Sequence, residues 1–529
     1  MSEYYVGITI GPIIETLCMA SRPASLWCAS SMFSWLAEDI CNKAIDIGGT
    51  IISPFYPKDS KKIAEQYSVT ATGVGKYHDR IIFRVNPNNL DSLNDNVKQM
   101  IEDAKQALAD ELVTDEFAKT TGQSQKELQK VIVDYLQVRY VITEAKKKCN
   151  CILYLSPYLD AAELCPSFSI DQSIQPVITL FEGKNDETHN GFVKACFKLK
   201  YSGNSIIEVT KNEKGKIVYK IRDIESIAES ISGDDRKIYN YYAIVQADGD
   251  SMTKLLNNLH DDEAVNDFSK ICLDYTSDAA DKINDFGGMT IYAGGDDLLF
   301  ISPLENKNGK TVFELCSDIN ECFQNKFKDH KNEKGECVYK ENIPTLSFGI
   351  SINYKKFPLY EAFKDALTML DEAKKIEKDE DQKNKTAVHI MKHSGQSVKF
   401  RYLNNGVLYN QLLKILKIQS DSVFLHSMMF KIDLYKPLLI AALKNDNDLE
   451  QTFNNIFASG YHETVMNYIQ TVRKCLKTIY DDVKENKNNE YYYEKKPDEK
   501  EKSKEEIALE LLYNLLRTAR FFSEKKGAK

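Results

Sequence analysis

"YAGGDDLLFI", Tyr292 to Ile301, sets two glycines and two aspartates between apolar flanks. A soluble protein rarely buries a carboxylate without a partner, because stripping water from a charge is costly. Two glycines followed by two acids read as a β-hairpin turn, in which glycine supplies positive φ. On this reading Met289–Ala293 and Leu298–Ile301 are the strands, and Asp296 and Asp297 sit at the tip.

Working outward, the stretch belongs to a repeat. Residues 279–295, "AADKINDFGGMTIYAGG", match residues 41–57, "CNKAIDIGGTIISPFYP": an amphipathic helix, Gly-Gly, then an apolar strand. A strand precedes each helix, "YYAIVQADGD" in the second copy and "YYVGITIGPI" in the first. A further strand follows each, "DLLFISPL" and "DRIIFRV". This is a β-α-β-β unit present twice, and a further helix and strand make it ferredoxin-like. In the second copy these are "LYEAFKDALTMLDEAKKIEK", preceded by "PTLSFGISI" and followed by "TAVHIMK".

Between the copies the pattern predicts a charged helical stretch over roughly 90–147. The strand-like "CNCILYLSPYL" and a Gly/Asn/Lys-rich segment over roughly 180–235, with strands such as "FVKACFKLKY", follow. After residue 400 the periodicity is helical. The charged stretch 484–506 reads as a mobile loop. The fold class expected is α+β: two ferredoxin-like domains, an intervening α/β region and an all-α C-terminal domain. The boundaries expected are 1–170, 171–236, 237–400 and 401–529.

A second acidic cluster, "QADGDSMTKLL", closes the first strand of the second copy. In a ferredoxin-like sheet that strand neighbours the hairpin, so Asp248, Asp296 and Asp297 meet at one sheet end. Carboxylates so grouped suit Mg²⁺ or Mn²⁺ together with substrate phosphates, and two such ions serve an in-line displacement. The Gly249 carbonyl is a further candidate ligand. Gly294 and Gly295 leave room for a nucleotide. Lys374, Lys375, Lys383 and Lys385 lie near the end of the later helix, with Lys374 and Lys383 the better candidates for triphosphate contacts. In the first copy "IISPFYP" carries no such acids.

Two motifs are set aside. "GVGKY" (73–77) lacks the spacing and hydroxyl of a phosphate-binding loop. His78-Asp79 leads into a strand, and Asp79-Arg80 reads as ordering a turn. The twelve cysteines form no CxxC, and Cys149, Cys151, Cys165 and Cys196 lack zinc-ribbon spacing, so reduced thiols are expected and zinc is not.

The 529 residues carry a net charge of −9, which argues against a chain that wraps nucleic acid unaided. No apolar run is long enough to span a bilayer, and "MSEYYVGITIGPI" reads as a first strand, not a signal peptide; the location expected is the cytoplasm.

"YAGGDDLLFI", "ADGDSM" and "LSFGIS" resemble the palm domain shared by GGDEF-type nucleotide cyclases and the Cas10 family, the large subunits of type III CRISPR effectors. The first copy, with "GGTIISPFYP" and "GVGKYHDRIIF", resembles the degenerate first palm of the Cmr2 branch of type III-B (Cmr) complexes. The chain departs from the family in two respects. The first palm starts near residue 4, leaving no place for the HD nuclease, and the zinc-binding CxxC pair is missing. The resemblance implies a target-RNA-activated nucleotidyltransferase partnered by other Cmr subunits, guide RNA and target RNA. Its substrate is ATP and its product cyclic oligoadenylate, or SAM-AMP if S-adenosylmethionine is the acceptor. It implies Asp248, Asp296 and Asp297 as catalytic residues that hold the metals with Gly249. Gly294, Gly295, Asp250, Ser251, Ser347, Lys374, Lys383 and Lys385 are then nucleotide-binding. A non-catalytic scaffold and a free-standing GGDEF-like cyclase are the competing readings.

Overall fold

A computed structural model describes residues 3–56, 77–87, 89–146, 148–165, 174–198, 207–211, 217–229, 236–330, 337–339, 343–375, 383–417, 422–445, 448–457, 463–485 and 502–525. Most of "GVGKY" and of the charged stretch after residue 485 lies outside these residues.

The first sheet holds β1 (Tyr4–Gly11), β2 (Thr50–Ser53), β3 (Arg80–Val85) and β4 (Gln137–Glu144), in the order β2-β3-β1-β4. β1 is antiparallel to β3 and β4, with Val6 opposite Phe83 and Ile142. The 24-residue helix Pro23–Asp46 joins β1 to β2. Its length and near-continuous apolar run bury Trp27, Leu36 and Ile40 completely.

After the short hairpin β5 (Ile207–Lys211) and β6 (Ile217–Ile221), the second sheet comprises six strands. They are β7 (Tyr241–Asp250), β8 (Met289–Gly294), β9 (Asp297–Pro303), β10 (Thr345–Tyr354), β11 (Lys385–Met391) and β12 (Ser397–Leu403), ordered β12-β11-β10-β7-β9-β8. Four of these, β8-β9-β7-β10, repeat the connectivity of the first sheet. The β-α-β-β repeat is therefore present in both, and the second sheet extends by β11, parallel to β10, and β12, antiparallel to β11.

β7 is covered on both faces, which is why its sequence is a continuous apolar run instead of an alternation. Ala243, Val245 and Ala247 enter one core with Tyr275 and Ile283 of the helix Asp262–Phe286. Tyr242 and Ile244 enter the other, which also takes Phe363 and Ala366 of the helix Leu359–Lys374 and Val6 and Ile8 of the first sheet. That shared core fixes one unit against the other. Polar ties reinforce it: Tyr5 Oη donates to Asp262 Oδ1 at 2.9 Å, and Asn266 Nδ2 donates to the Ile52 carbonyl at 2.9 Å.

Several local expectations are corrected. "CNCILYLSPYL" is mostly helix, Cys151–Glu163, because Cys151, Leu155 and Leu159 fall on one buried stripe and Asn150 caps the N-terminus. "FVKACFKLKY" lies in the helix Asp186–Lys198 as far as residue 198, where the described residues pause. The charged helical stretch breaks into three helices and then becomes β4, whose β-branched and aromatic residues pair along β1. The helix Val312–Asp329, opened by a capping box of Thr311 and Glu314, and β12 are further elements that periodicity did not single out. All twelve cysteines are free thiols; Cys196 lies against the Cys28 carbonyl in the core while Cys165 is exposed.

The C-terminal part is helical, as expected: Val407–Lys417, Ser422–Leu434, Lys436–Lys444, Leu449–Phe457, Glu463–Glu485 and Lys504–Ser523. The last of these packs back on the second sheet, with Phe521 edge-on to Tyr241 at 4.8 Å.

Candidate active site

The site forms where β7 ends. β10 runs antiparallel beside it, placing Ser347 opposite Asp248 and Thr345 opposite Asp250. On its other side β9 pairs Leu298 with Ala247, so Asp248 and Asp297 come next along the two strands. Gly294 pairs with Asp297, leaving Gly295 and Asp296 as a two-residue turn with Gly295 at φ +66°. Only glycine adopts that conformation cheaply.

Gly249 is required by close approach. A Cβ there would stand 2.5 Å from Asp296 Oδ2 and 2.7 Å from Asp296 Cβ. The missing side chain is what lets Asp296 lie across the β7 backbone. Gly294 has a different reason from the one expected: a Cβ there would run into the Tyr292 hydroxyl, so the room beside it is already taken. Gly295 is the open one, with the nearest atom to a Cβ being His78 Cδ2 at 4.0 Å.

Three carboxylates in one half-buried place repel each other. Burial first, then the charge of Asp248, pushes Asp296 up to about 6, with Lys374 opposing. Burial and the neighbouring Asp296, Asp248 and Asp79 raise Asp297 well above the usual carboxylate range. Lys374 is the nearby cation. Its Nζ donates to Asp248 Oδ2 and to the Gly249 carbonyl at 3.0 Å.

The nucleotide-binding candidates divide in two. Asp250 is 2% exposed and turned into the fold, accepting from Thr345 Oγ1 at 2.8 Å, Ser347 Oγ at 2.9 Å and the Asn384 amide at 2.8 Å. Ser347 is buried and also accepts from the Lys385 amide at 3.3 Å; Lys385 itself is buried. In this structure Asp250, Ser347 and the Lys385 amide form a buried clasp that ties β7, β10 and β11 together. Ser251, exposed at φ +61°, and half-buried Lys374 and Lys383 remain accessible.

The first unit contributes what sequence reasoning passed over. His78 Nε2 is 3.3 Å from Ser53 Oγ, and the ring faces Gly295. Asp79 stands at the head of β3 as Asp296-Asp297 stand at the head of β9. The first copy therefore does carry an acid at its hairpin strand. The available signal was position within the repeat, masked by the long insertion before β3. Asp79, Gln246, Tyr292 and Asp297 line a cavity of about 150 Å³ between the units. That is smaller than an ordinary ligand pocket of about 300 Å³ or more.

The donor set fits a hard divalent cation by its chemistry: two carboxylates raised by burial and by neighbouring acids, a third beside them, and a backbone carbonyl. Among the described residues, however, no three acid, histidine or cysteine groups converge on one point. Lys374 holds the Asp248 and Gly249 oxygens instead.

The strands β8-β9-β7-β10, with acids at the end of β7 and on the adjoining hairpin, form a ferredoxin-like arrangement. Residues 241–387 match the family described as Cas10/Cmr2, second palm domain. Over the whole fold the chain is similar to a subunit of the type III-B Cmr-beta complex in its apo state. The TM-score is 0.58 and the identity 11%, over 98% of this chain and 82% of that one. A chain of type III-B Cmr-beta bound to cognate target RNA gives 0.50 and 12%, over 89% and 78%. A chain of a Csm1-Csm4 cassette in complex with cA4 gives 0.48 and 13%, over 90% and 70%. At these identities the likeness is one of fold. No curated protein sequence matches.

Proposed function

We propose that this chain is the large subunit of a type III-B CRISPR RNA-guided complex and that its second palm is a nucleotidyltransferase using ATP. The observation that carries the reading is the meeting of Asp248, Asp296 and Asp297 at one sheet end beside Lys374, within a Cas10/Cmr2 second palm domain. Its partners on this reading are other Cmr subunits, guide RNA and target RNA. The fold it shares with the target-RNA-bound Cmr-beta chain supports that, as does the absence, among the described residues, of any helix long and apolar enough to cross a membrane. The location is cytoplasmic on the same reading.

The reaction is phosphodiester formation. The 3′-hydroxyl oxygen of one adenosine bonds to the α-phosphorus of ATP, the bond to the bridging oxygen breaks, and pyrophosphate leaves while the hydroxyl proton passes to water. Asp248, Asp296, Asp297 and the Gly249 carbonyl are the groups to hold Mg²⁺ or Mn²⁺. When bound, such ions activate the attacking hydroxyl and neutralise charge on the leaving group. Gly295 lets the nucleotide approach the backbone. Lys374 and Lys383 take the triphosphate, with Ser251 at the edge. Repetition with ATP as acceptor gives cyclic oligoadenylate; S-adenosylmethionine as acceptor gives SAM-AMP.

The test is to incubate the assembled complex with target RNA, Mg²⁺ and labelled ATP, with and without S-adenosylmethionine, and resolve the products. A product only with S-adenosylmethionine rejects cyclic oligoadenylate. Asp296→Ala with Asp297→Ala should abolish product and leave assembly intact. No nucleotide product under any condition returns the chain to a scaffold role.

A further inference from the structure

The far end of the six-stranded sheet carries a second polar cavity. Tyr241 and Tyr354 pair at that end and Asp250 and Thr345 at the other, so the cavity beside Tyr354 lies about 20 Å along the strands from the acids. Its volume is about 730 Å³. The β11–β12 hairpin, the loop after β10 and the last helix, Lys504–Ser523, enclose it. Lys356, His389, Lys392, Lys399 and Arg517 converge on it.

What distinguishes it is an excess of cations: Lys356, Lys392, Lys399 and Arg517 line it against the one carboxylate of Glu510. Lys356, Lys392, Lys399 and Arg517 have no carboxylate partner among the described residues. The acids nearby are engaged elsewhere: Glu510 with Lys502 at 2.8 Å, Glu524 with Lys237 at 2.7 Å and Asp365 with His389 Nδ1 at 2.8 Å. Burial, with Arg520, Arg517 and Lys237 nearby and Glu524 opposing, holds Lys392 down at about 8. In a chain of net charge −9, uncompensated cations gathered in one concavity form a focused anion site. One wall is aromatic: Tyr354 and His393 lie edge to face with centroids 4.6 Å apart. Cations for phosphate beside rings for a base are what a nucleotide needs, and the volume is in the range of ligand pockets, roughly 300–1,000 Å³.

We propose that this cavity binds a nucleoside phosphate, its phosphate held by Lys356, Lys392, Lys399 and Arg517 and its base beside Tyr354 and His393. The source is either a free nucleotide or a nucleotide within an RNA strand. The site is separate from the hairpin acids and stands whether or not they are catalytic.

The test uses the full chain carrying Asp296→Ala and Asp297→Ala, in EDTA, which silences the palm site. The probes are labelled ADP by equilibrium dialysis and a short fluorescein-labelled single-stranded RNA by anisotropy. Saturable binding of at least one probe is expected, weakened about tenfold or more by Lys356→Glu with Lys399→Glu at unchanged melting temperature. If that pair fails to fold, Lys356→Gln with Lys399→Gln carries the same expectation at smaller size. Loss confined to ADP assigns a free nucleotide; loss confined to RNA assigns a strand; loss of both assigns a site that accepts either. Binding of neither probe by the parent, or unchanged binding by the folded variants, overturns the proposal.

Discussion

Lys374 grips the end of β7 at two points: its Nζ is hydrogen-bonded to the Asp248 carboxylate and, at 3.0 Å, to the Gly249 carbonyl. These oxygens are also the ones a divalent cation would seek. The ammonium therefore stands where the proposed divalent cation would bind.

Replacing Lys374 should separate two quantities that usually fall together. Lys374→Met is expected to tighten Mn²⁺ binding to the free protein severalfold, because a competing charge is gone. Nucleotide product should fall by at least about tenfold, because a triphosphate contact is lost. Titration calorimetry with Mn²⁺ and a product assay check the two arms.

Gly249→Ala tests the close approach to Asp296. The added Cβ forces the hairpin tip away from β7, and overpacking of this kind costs about 1–3 kcal/mol. A lowered melting temperature together with loss of product is expected. Gly48→Ala is the control: nothing lies within 4 Å of the Cβ it adds, so it feels only its φ of +85°.

The acid pair should write itself into the pH dependence of stability. Asp296 titrates near 6 and Asp297 higher than usual, so the folded state binds these protons more tightly than the unfolded chain. The pair therefore favours folding at low pH and loses that contribution as pH rises through about 6. Without metal, Asp296→Asn with Asp297→Asn should melt above the parent at about pH 7.5, with the gap closing towards about pH 4.5. Mg²⁺ should raise the parent at the higher pH and leave the variant unmoved.

Ser347→Ala addresses the clasp beneath the site. It removes a donor from buried Asp250 and should cost about 1–3 kcal/mol in denaturant unfolding. Product formation should fall with the KM for ATP little changed, because Ser347 does not reach the nucleotide.

Much of the fold was legible. Gly-Gly after an amphipathic helix, repeated at Gly48-Gly49 and Gly287-Gly288, exposed the β-α-β-β unit, and Gly287 does cap its helix at φ +98°. The segment from Cys151 to Glu163 was misread because a short apolar run fits a buried strand or a buried helix equally well. β4 was missed because it is a half-buried edge strand, with no apolar face strong enough to announce it. At the candidate site the acids of the hairpin and of β7 were legible as a group. The division of Asp248 from Asp250 was not, since both end one strand and differ only in what surrounds them.

Turn chemistry and hydrophobic period act between near neighbours, so the hairpin at Gly295 and the repeated β-α-β-β unit were already written in the chain. The capture of Asp248 by Lys374, the burial of Asp250 under Ser347 and Thr345, and the approach of His78 and Asp79 to the hairpin depend on residues brought together from distant parts of the chain. Those meetings are set by the one core that takes Tyr242, Ile244 and Phe363 from the second unit and Val6 and Ile8 from the first. No local periodicity carries that information, because a side chain's partner across a packed interface depends on the packing of everything between.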